Sequence, residues 1–339
     1  MGLRITYNSR VIVLGAGASR SVSYSHNSDY PSPVDADFFD LLQRRSVRAD
    51  GSADIKSAQL DIEAMNNVLA RMKQLSPEYW HSMERAFYTL HLQAYMAEKL
   101  GHVGLDDSDE RLLADFTRSI QALLRAAHQK ERCSNHELLF SGLGPYGKVI
   151  TFNYDLVAER ALRKHYETNI PFGPWIYGME PFNGNNAPLL LKLHGSSNWK
   201  IVPATPKHFE VRTKSWKNFD LAPGYRGHDG KGTTYPIFLP FWDKQIEKPP
   251  WLPLWKKAYE ILSKATELIV WGYSLPITDV KAQHLFSLSL ALKDSFKLCI
   301  IDPSPLARLR WRELFKNALY WEYNNIEEFF SHPPKWWGK

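Results

Sequence analysis

Short apolar runs alternate along this chain with longer segments of helical periodicity. Five runs predict buried strands, because each is apolar almost throughout and is bounded by turn residues. The segments between them repeat apolar residues every three or four positions, as at Phe116, Ile120 and Leu123, which is typical of helices packed on one face. The predicted strands cover residues 10–14, 148–152, 188–193, 268–271 and 297–301.

Buried strands separated by helices predict an α/β fold with a Rossmann-like, mostly parallel sheet covered on both faces. We expect this domain to comprise residues 1–34 and 145–310. The segment 35–144 is predicted to be a large helical insertion, because most of it has helical periodicity. Within the domain, residues 197–250 form an excursion of basic and aromatic residues, and residues 311–339 are predicted to be a C-terminal tail.

Polar and glycine-rich residues follow every predicted strand. In parallel sheets the carboxyl ends of the strands meet at one edge, where ligands bind. The sequence therefore predicts that its candidate chemistry collects at that edge. The segments are Gly15-Ala16-Gly17-Ala18-Ser19, Phe152-Asn153-Tyr154-Asp155, His194-Gly195-Ser196, Gly272-Tyr273-Ser274-Leu275-Pro276 and Asp302-Pro303-Ser304.

The segment 15–19 has the features of a pyrophosphate-binding loop. Its glycines let the backbone approach a diphosphate, and amide N–H groups at a helix start can donate to the phosphate oxygens. It departs from the full dinucleotide-binding pattern, because Arg20 occupies the place of the third glycine. A plain tight turn is the alternative interpretation. A Walker loop is excluded, since no Gly-Lys-Ser/Thr follows.

Composition narrows the class of protein. The chain has 339 residues, of which 44% are hydrophobic and 23% charged, and this excludes a fibrous or disordered chain. No apolar run reaches the 18 residues or so of a membrane span, and the N-terminus lacks a secretory signal pattern. Two cysteines, Cys133 and Cys299, exclude a disulfide framework and a four-thiolate zinc site. We expect a soluble cytoplasmic protein without membrane association.

The positive charge is concentrated in one segment. The whole chain carries 42 Lys and Arg against 36 Asp and Glu, a net charge of +6. Residues 200–257 contain eleven basic and five acidic residues, which is also +6, interleaved with aromatic side chains. Such a segment can bind nucleic acid or another anion. A solvated, proline-rich excursion with a few aromatic anchors is the alternative, and both interpretations stay open.

Four of the strand-end segments, in this order and setting, resemble the motifs of the Sir2-like (sirtuin-related) family, and specifically its bacterial anti-phage defence branch of NAD-consuming proteins. These segments are 15–19, 151–155, 192–196 and 272–275, and the resemblance covers about residues 11–305. It implies NAD as the substrate. It also implies that Asn153 and His194 are catalytic and that Asp155 lies in the nicotinamide pocket.

The same resemblance implies the rest of an NAD site. Gly15, Ala16, Gly17 and Ser19 would line the phosphate and nicotinamide-ribose side, and Ser274 would bind phosphate. Asp302 stands where sirtuins usually carry Asn, and a carboxylate at a strand end suits the ribose hydroxyls of adenosine. Taken singly, each of these residues also has a structural interpretation. His194 could be a satisfied core histidine, and residues 153–155 could simply cap the next helix.

Two departures from the sirtuin pattern bear on the expected activity. Deacylase sirtuins carry two Cys-x-x-Cys pairs after the His-Gly motif, whereas residues 197–271 contain no cysteine, so we expect no zinc module. That module helps to form the acyl-lysine groove, and its loss argues against deacylation. The loop after Ser19 also lacks the family's Pro-Asp-Phe-Arg, residues 31–39 being its nearest counterpart.

The expected function is an NAD⁺ glycohydrolase that releases nicotinamide and ADP-ribose and depletes NAD⁺ in abortive anti-phage defence. Two alternatives stay open: a protein ADP-ribosyltransferase or deacylase, and a non-catalytic sensor of NAD-derived nucleotides. The resemblance further implies a homo-oligomer with low basal activity, controlled by nucleic acid or by a partner such as a separately encoded HerA-type ATPase. The candidate control elements are the helical segment 54–129 and the basic segment 200–257.

Overall fold

The structure is a computed structural model in which part of the chain is described. The described residues are 10–24, 31–46, 55–100, 108–128, 133–143, 147–166, 174–177, 188–197, 199–205, 208–213, 251–290, 293 and 295–337.

A parallel sheet of six strands is the centre of the described fold, and a separate antiparallel hairpin lies in the excursion. Counted along the chain, the strands of the main sheet stand in the order 3-2-1-4-5-6, which is the order of dinucleotide-binding folds. The predicted Rossmann-like α/β class is therefore confirmed. The strands are β1 (Arg10–Leu14), β2 (Lys148–Thr151), β3 (Leu189–Lys192), β4 (Trp199–Thr205), β5 (His208–Thr213), β6 (Glu267–Trp271), β7 (Lys297–Ile301) and β8 (Leu319–Tyr323); the sheet runs β3-β2-β1-β6-β7-β8, and β4 pairs with β5.

Eleven helices of the described chain pack around these strands, with short 3₁₀ turns at Asp35–Asp37, Pro77–His81 and Pro174–Tyr177. No helix among the described residues is long and apolar enough to cross a membrane. The helices are α1 (Ala16–Tyr24), α2 (Phe38–Ser46), α3 (Ile55–Met72), α4 (Met83–Lys99), α5 (Ser108–His128), α6 (Ser134–Ser141), α7 (Val157–Tyr166), α8 (Trp251–Lys264), α9 (Val280–Leu290), α10 (Pro305–Leu314) and α11 (Ile326–Ser331).

Two hydrophobic cores follow from this arrangement. The first surrounds the sheet and contains its fully apolar strands, as at Val11, Ile12 and Val13, each 0% exposed. The second lies among helices α2 to α5, where the ring centroids of Phe87 and Phe116 are 5.1 Å apart. Helix α6 packs into the sheet core, although the predicted boundary at residue 144 places it in the helical insertion.

Residues 311–339 were predicted to be a C-terminal tail, with no strand beyond residue 301. Instead, this segment supplies the last strand of the sheet. Strand β8 pairs in parallel with β7. Among the described strands it has only one neighbour, and its residues range from exposed Leu319 to buried Tyr323. An edge strand of this kind lacks the continuous apolar run by which the other strands were predicted.

An arginine at the start of β1 joins the amino ends of the strands to the C-terminal segment. Arg10 Nε donates to Glu267 Oε2 at 2.9 Å, and its Nη atoms donate to the carbonyl oxygens of Gly142 and Trp336. Its guanidinium carbon also lies 4.6 Å from the ring centroid of Trp337 and 5.5 Å from that of Trp336. One half-buried side chain therefore holds three distant segments together.

We expect Arg10→Ala to lower the free energy of unfolding by about 2 kcal/mol, because the hydrogen bonds and ring contacts disappear together. The loss is limited because Lys297 Nζ still pairs with Glu267 Oε1 at 3.0 Å. Urea denaturation measures the difference. The matched control is Arg85→Ala, which breaks an exposed 3.7 Å ion pair with Glu78 and should cost less than about 1 kcal/mol. Equal losses in the two variants would contradict this assignment.

Both cysteine thiols are buried and held protonated. Burial raises the pKa of Cys133 to about 12 and raises the pKa of Cys299 well above its ordinary value. Since the thiolate is the reactive form, we expect both thiols to react with Ellman's reagent at pH 8 about 10³-fold more slowly in the native protein than in urea. A fast-reacting thiol in the native chain would show that one of the two sites opens readily.

Candidate functional site

The glycine-rich loops after β1 and β6 pack against each other where the strand order reverses. This switch point is where open α/β sheets bind ligands. The amide of Gly15 donates to the carbonyl oxygen of Trp271, and the amide of Gly17 donates to that of Gly272, each at 3.0 Å. The two loops therefore form one unit at the carboxyl edge of the sheet.

The close approach of these loops requires glycine. A Cβ on Gly15 would lie 2.4 Å from the carbonyl oxygen of Gly272. Gly272 has φ +64°, and a Cβ there would lie 2.2 Å from the amide nitrogen of Ala18. Side chains at these positions would push the loops apart, which accounts for the glycines at the switch point.

The positive end of the α1 dipole points toward this edge. Several backbone amides at the start of α1 already donate hydrogen bonds within the protein. The amides of Gly15, Gly17 and Ala18 all donate to carbonyl oxygens of the protein. Contact with an anion would therefore fall to Ala16, which is exposed, and to the dipole of the helix. The predicted loop lies at the right place, with fewer available donors than the sequence pattern indicates.

Three predicted site residues form one hydrogen-bonded network. Asn153 Nδ2 donates to the carbonyl oxygen of Gly15 at 2.8 Å and to Ser19 Oγ at 2.9 Å. Ser19 Oγ in turn donates to Asp155 Oδ2 at 2.6 Å. Ser19 and Asp155 are 1% and 4% exposed, whereas Asn153 is 9% exposed, so the asparagine is the most accessible of the three.

Asp155 also has a structural role. Its Oδ1 accepts from the amide of Val157 at 2.9 Å and so caps the start of α7. Both carboxylate oxygens are therefore hydrogen-bonded within the protein. Asp155 thus holds both Ser19 and the start of α7 in place.

His194 follows β3 and lies in an aromatic enclosure. Its ring centroid is 4.9 Å from that of Phe152 and 6.3 Å from that of Tyr154, the residues on either side of Asn153. The ring of Phe152 also stacks on Tyr273 at 4.0 Å, with 5° between the planes. The His194 ring is thus packed against the same loop that carries Asn153.

A buried carboxylate lies beside the His194 ring, and it belongs to a residue that was not among the predicted site residues. His194 Nε2 lies 2.9 Å from Asp279 Oδ2, and the two side chains are 4% and 0% exposed. The hydroxyl of Tyr273 donates to the same Asp279 oxygen at 2.9 Å. In the sequence, Asp279 is indistinguishable from an ordinary helix start, which is why it was missed.

A buried ion pair supports the loop from below. Lys192 Nζ donates to Glu159 Oε1 at 2.9 Å and to the carbonyl oxygen of Asp155, and both charged side chains are fully buried. The hydroxyl of Tyr177 donates to Glu159 Oε1 at 3.1 Å. Burial raises the pKa of Glu159, and the adjacent Lys192 ammonium opposes that shift. A lysine ending an otherwise apolar strand was the available signal for this pair.

Ser274 and Asp302 lie on the other side of the switch point. Asp302 Oδ1 accepts from the amide of Ser304 at 2.8 Å, and burial raises its pKa against the opposing effects of that amide and Arg308. Ser274 is half-buried, and its carbonyl oxygen accepts from Arg310 at 3.3 Å. Asp302 follows β7 and His194 follows β3, four strand spacings apart, or about 19 Å. The strand ends therefore span a distance comparable to the length of an extended ligand.

The helical insertion contacts the same edge. The hydroxyl of Thr278, next to Asp279, donates to Glu84 in the first turn of α4. Asp35 Oδ1 accepts from the amide of Glu84 at 2.8 Å; burial raises the pKa of Asp35, and this hydrogen bond opposes the shift. Tyr154 packs against the helical core. The insertion and the strand-end loops are therefore in direct contact.

The described residues bear on two further predictions, the absence of a metal site and the role of the basic segment. Among them, no group of three His, Cys, Asp or Glu side chains is placed to hold a metal ion. Trp199, which precedes the basic segment, and Trp251 and Trp255 at its end are buried in the sheet core. Residues 214–250 lie outside the described residues, so anion binding by this segment stays a prediction.

No protein-family model matches this sequence, and a search of curated proteins gave no match. Solved structures similar to this chain include a Sir2 variant with a deacetylated p53 peptide and 3′-O-acetyl ADP-ribose, at 13% identity and a TM-score of 0.44, covering 96% of this chain and 93% of the other. A Sir2–p53 peptide–NAD⁺ complex is 16% identical, with a TM-score of 0.39 and coverages of 94% and 89%. Such low values assign neither a family nor an activity to this chain.

Proposed function

We propose that this chain is a Sir2-like NAD⁺ glycohydrolase, with Asn153 and His194 as its catalytic residues. The proposal is supported by the motif resemblance and by the arrangement of the strand ends around the switch point. In this proposal NAD⁺ lies across the carboxyl edge of the sheet. Its nicotinamide ribose is beside Asn153, its diphosphate is near Ala16, and its adenosine is near Ser274 and Asp302.

The fixed orientation of Asn153 is the observation that carries the proposal. Its Nδ2 is committed to the carbonyl oxygen of Gly15 and to Ser19 Oγ. No described residue donates to its Oδ1, which is thus available as an acceptor at the edge. An oriented amide oxygen of this kind can hold a water molecule or a ribose hydroxyl in a defined position. Such positioning is what hydrolysis of this bond requires.

The reaction needs no strong acid. Nicotinamide leaves as a neutral molecule, because the C1′–N bond breaks with its electron pair moving to the pyridinium nitrogen. The oxygen of a water molecule then forms the new bond to C1′, and its proton passes to the His194 imidazole. The products are nicotinamide, ADP-ribose and one proton. Asn153 orients the water or the ribose, and the rings of Phe152 and Tyr273 shield the reacting centre from bulk solvent.

The residue proposed to contact the adenosine ribose bears on the choice between NAD⁺ and NADP⁺ as the substrate. Asp302, when ionised, would accept hydrogen bonds from the ribose hydroxyls and would repel a 2′-phosphate. We therefore propose NAD⁺ rather than NADP⁺ as the substrate. Comparing kcat/KM for the two dinucleotides tests this assignment, and a preference for NADP⁺ would contradict it.

The activity is tested by incubating the full chain with NAD⁺ and separating the products by chromatography. The proposal expects nicotinamide and free ADP-ribose in equal amounts, without any acceptor protein. ADP-ribose attached to a protein would instead support a transferase, and release that requires an acyl-lysine peptide would support a deacylase. Binding of NAD⁺ without nicotinamide release would support a sensor. Each of these three results overturns the glycohydrolase assignment.

The cellular role belongs to the same proposal and is supported by the motif resemblance alone. NAD⁺ depletion in the cytoplasm would serve anti-phage defence, with a homo-oligomer of low basal activity controlled by nucleic acid or a HerA-type ATPase. Light scattering, with NAD⁺ turnover measured in parallel, tests this part. A fully active monomer that ignores every added partner would refute it.

A further inference from the structure

We infer that Asp279 is a positioning residue for His194, which fixes the orientation of the imidazole with its protonated Nε2 toward the carboxylate. The inference rests on the proposed function for the role of His194. It adds a residue that lies outside the four strand-end motifs. Its basis is the 2.9 Å approach of His194 Nε2 to Asp279 Oδ2, between side chains 4% and 0% exposed.

The carboxylate itself is held in place from several directions. Asp279 Oδ2 also accepts from the Tyr273 hydroxyl at 2.9 Å, and Oδ1 faces the amide of Ala282 at 3.3 Å as the cap of α9. The backbone amide of Asp279 donates to the carbonyl oxygen of Pro276 at 3.0 Å. A group fixed by both its side chain and its backbone can impose an orientation on the ring that contacts it.

The protonation pattern follows from what each group can donate. An ionised carboxylate only accepts hydrogen bonds, so the imidazole nitrogen facing it carries a proton. In the neutral ring the lone pair is then on Nδ1. Burial and the adjacent Asp279 raise the pKa of Tyr273 well above its ordinary value, so that its hydroxyl remains a donor to Asp279.

The same contact assists the chemical step. When the imidazole takes the proton from the attacking water, it becomes a cation in a buried enclosure. Asp279 supplies the opposite charge at Nε2, which stabilises the imidazolium without moving during the reaction. A carboxylate that only capped α9 would have no effect on the protonation of His194.

The direct test is the ¹⁵N–¹H spectrum of histidine-labelled protein at neutral pH. The signals of His194 are assigned as those that disappear in His194→Gln. We expect Nε2 of His194 to carry a proton in the wild type. We expect Asp279→Asn, which keeps a side-chain oxygen for the cap of α9, to shift the ring toward the Nδ1–H form. An Nδ1–H ring in the wild type would overturn the inference even if the variant does not fold.

Kinetics give the second readout. We expect Asp279→Asn to lower kcat for NAD⁺ by about 10²-fold or more while KM changes less than about threefold, because the substrate contacts are retained. The matched control is Asp35→Asn, a half-buried carboxylate that also receives a helix-start amide, and it should leave the His194 signals unchanged. Unchanged kcat and unchanged His194 signals in folded Asp279→Asn would contradict the inference.

Failure of the inference is separable from failure of the proposed function. The NMR measurement reports the His194–Asp279 contact whether or not NAD⁺ is cleaved. If His194→Ala abolishes turnover and Asp279→Asn changes neither the spectrum nor kcat, only the inference fails. If the wild type cleaves no NAD⁺, the proposed function fails, and the spectrum still decides the protonation pattern.

Discussion

Asn153→Ala and His194→Ala are each expected to lower NAD⁺ turnover by about 10²- to 10⁴-fold, the usual contribution of a positioned acid–base or orienting group. Both are polar side chains at strand ends, at the carboxyl edge of the sheet, and their removal deletes no apolar core side chain, so both variants should stay folded. Removing the Asn153 amide deletes the acceptor that orients water or ribose. Removing the His194 ring deletes the proton acceptor and leaves the C1′–N bond intact.

Nicotinamide release, measured by chromatography on variants whose circular dichroism matches the wild type, checks this expectation. The controls replace the same residue types on the surface: Asn135→Ala, which breaks an exposed hydrogen bond to Glu327, and His284→Ala on α9. Both controls should keep turnover within about twofold of the wild type, since surface changes away from a site cost little. Near wild-type release by folded Asn153→Ala and His194→Ala would remove these residues from the mechanism.

Lys192→Met is expected to destabilise the protein by about 3–5 kcal/mol, because it leaves the Glu159 carboxylate buried without its cation. Both side chains are fully buried, 2.9 Å apart. The lysine also donates to the carbonyl oxygen of Asp155. The loop that holds Asn153 should therefore loosen together with the core, and NAD⁺ turnover should fall as well.

A double-mutant cycle separates the ion pair from simple loss of packing. Lys192→Met combined with Glu159→Leu removes both charges and fills the space with apolar groups, so stability should recover by several kcal/mol relative to Lys192→Met alone. Urea denaturation of the four proteins gives the coupling energy. Additive losses in the double variant would show that the two charges do not depend on each other.

The parts of the fold that the sequence predicted are those with an unambiguous local pattern. Five strands of the sheet were placed to within about one residue at each end, because fully buried parallel strands are apolar throughout. Strand β8 was missed, because it lies at the edge of the sheet as far as the chain is described, and most of its residues are partly exposed. The clustering of polar strand ends at one edge followed from the parallel order alone.

The sequence predicted only those site residues that directly follow a strand, because their place at the edge of the sheet follows from the local pattern. Asn153 and His194 follow strands that meet at the edge, and the structure places both there. Asp279 and Lys192 were not predicted as site residues, because their partners are brought to them by the tertiary fold. Asp155 caps α7 and accepts from Ser19, as the capping alternative describes, and its place in a nicotinamide pocket stays a prediction.

A crystal structure of His194→Ala with NAD⁺ bound tests the central claim most directly, because the variant should bind the dinucleotide without cleaving it. The account predicts the nicotinamide ribose within hydrogen-bond distance of Asn153, the diphosphate at Ala16 and the adenosine ribose beside Asp302. A dinucleotide bound in the reverse direction, or at a place away from the carboxyl edge of the sheet, would contradict it.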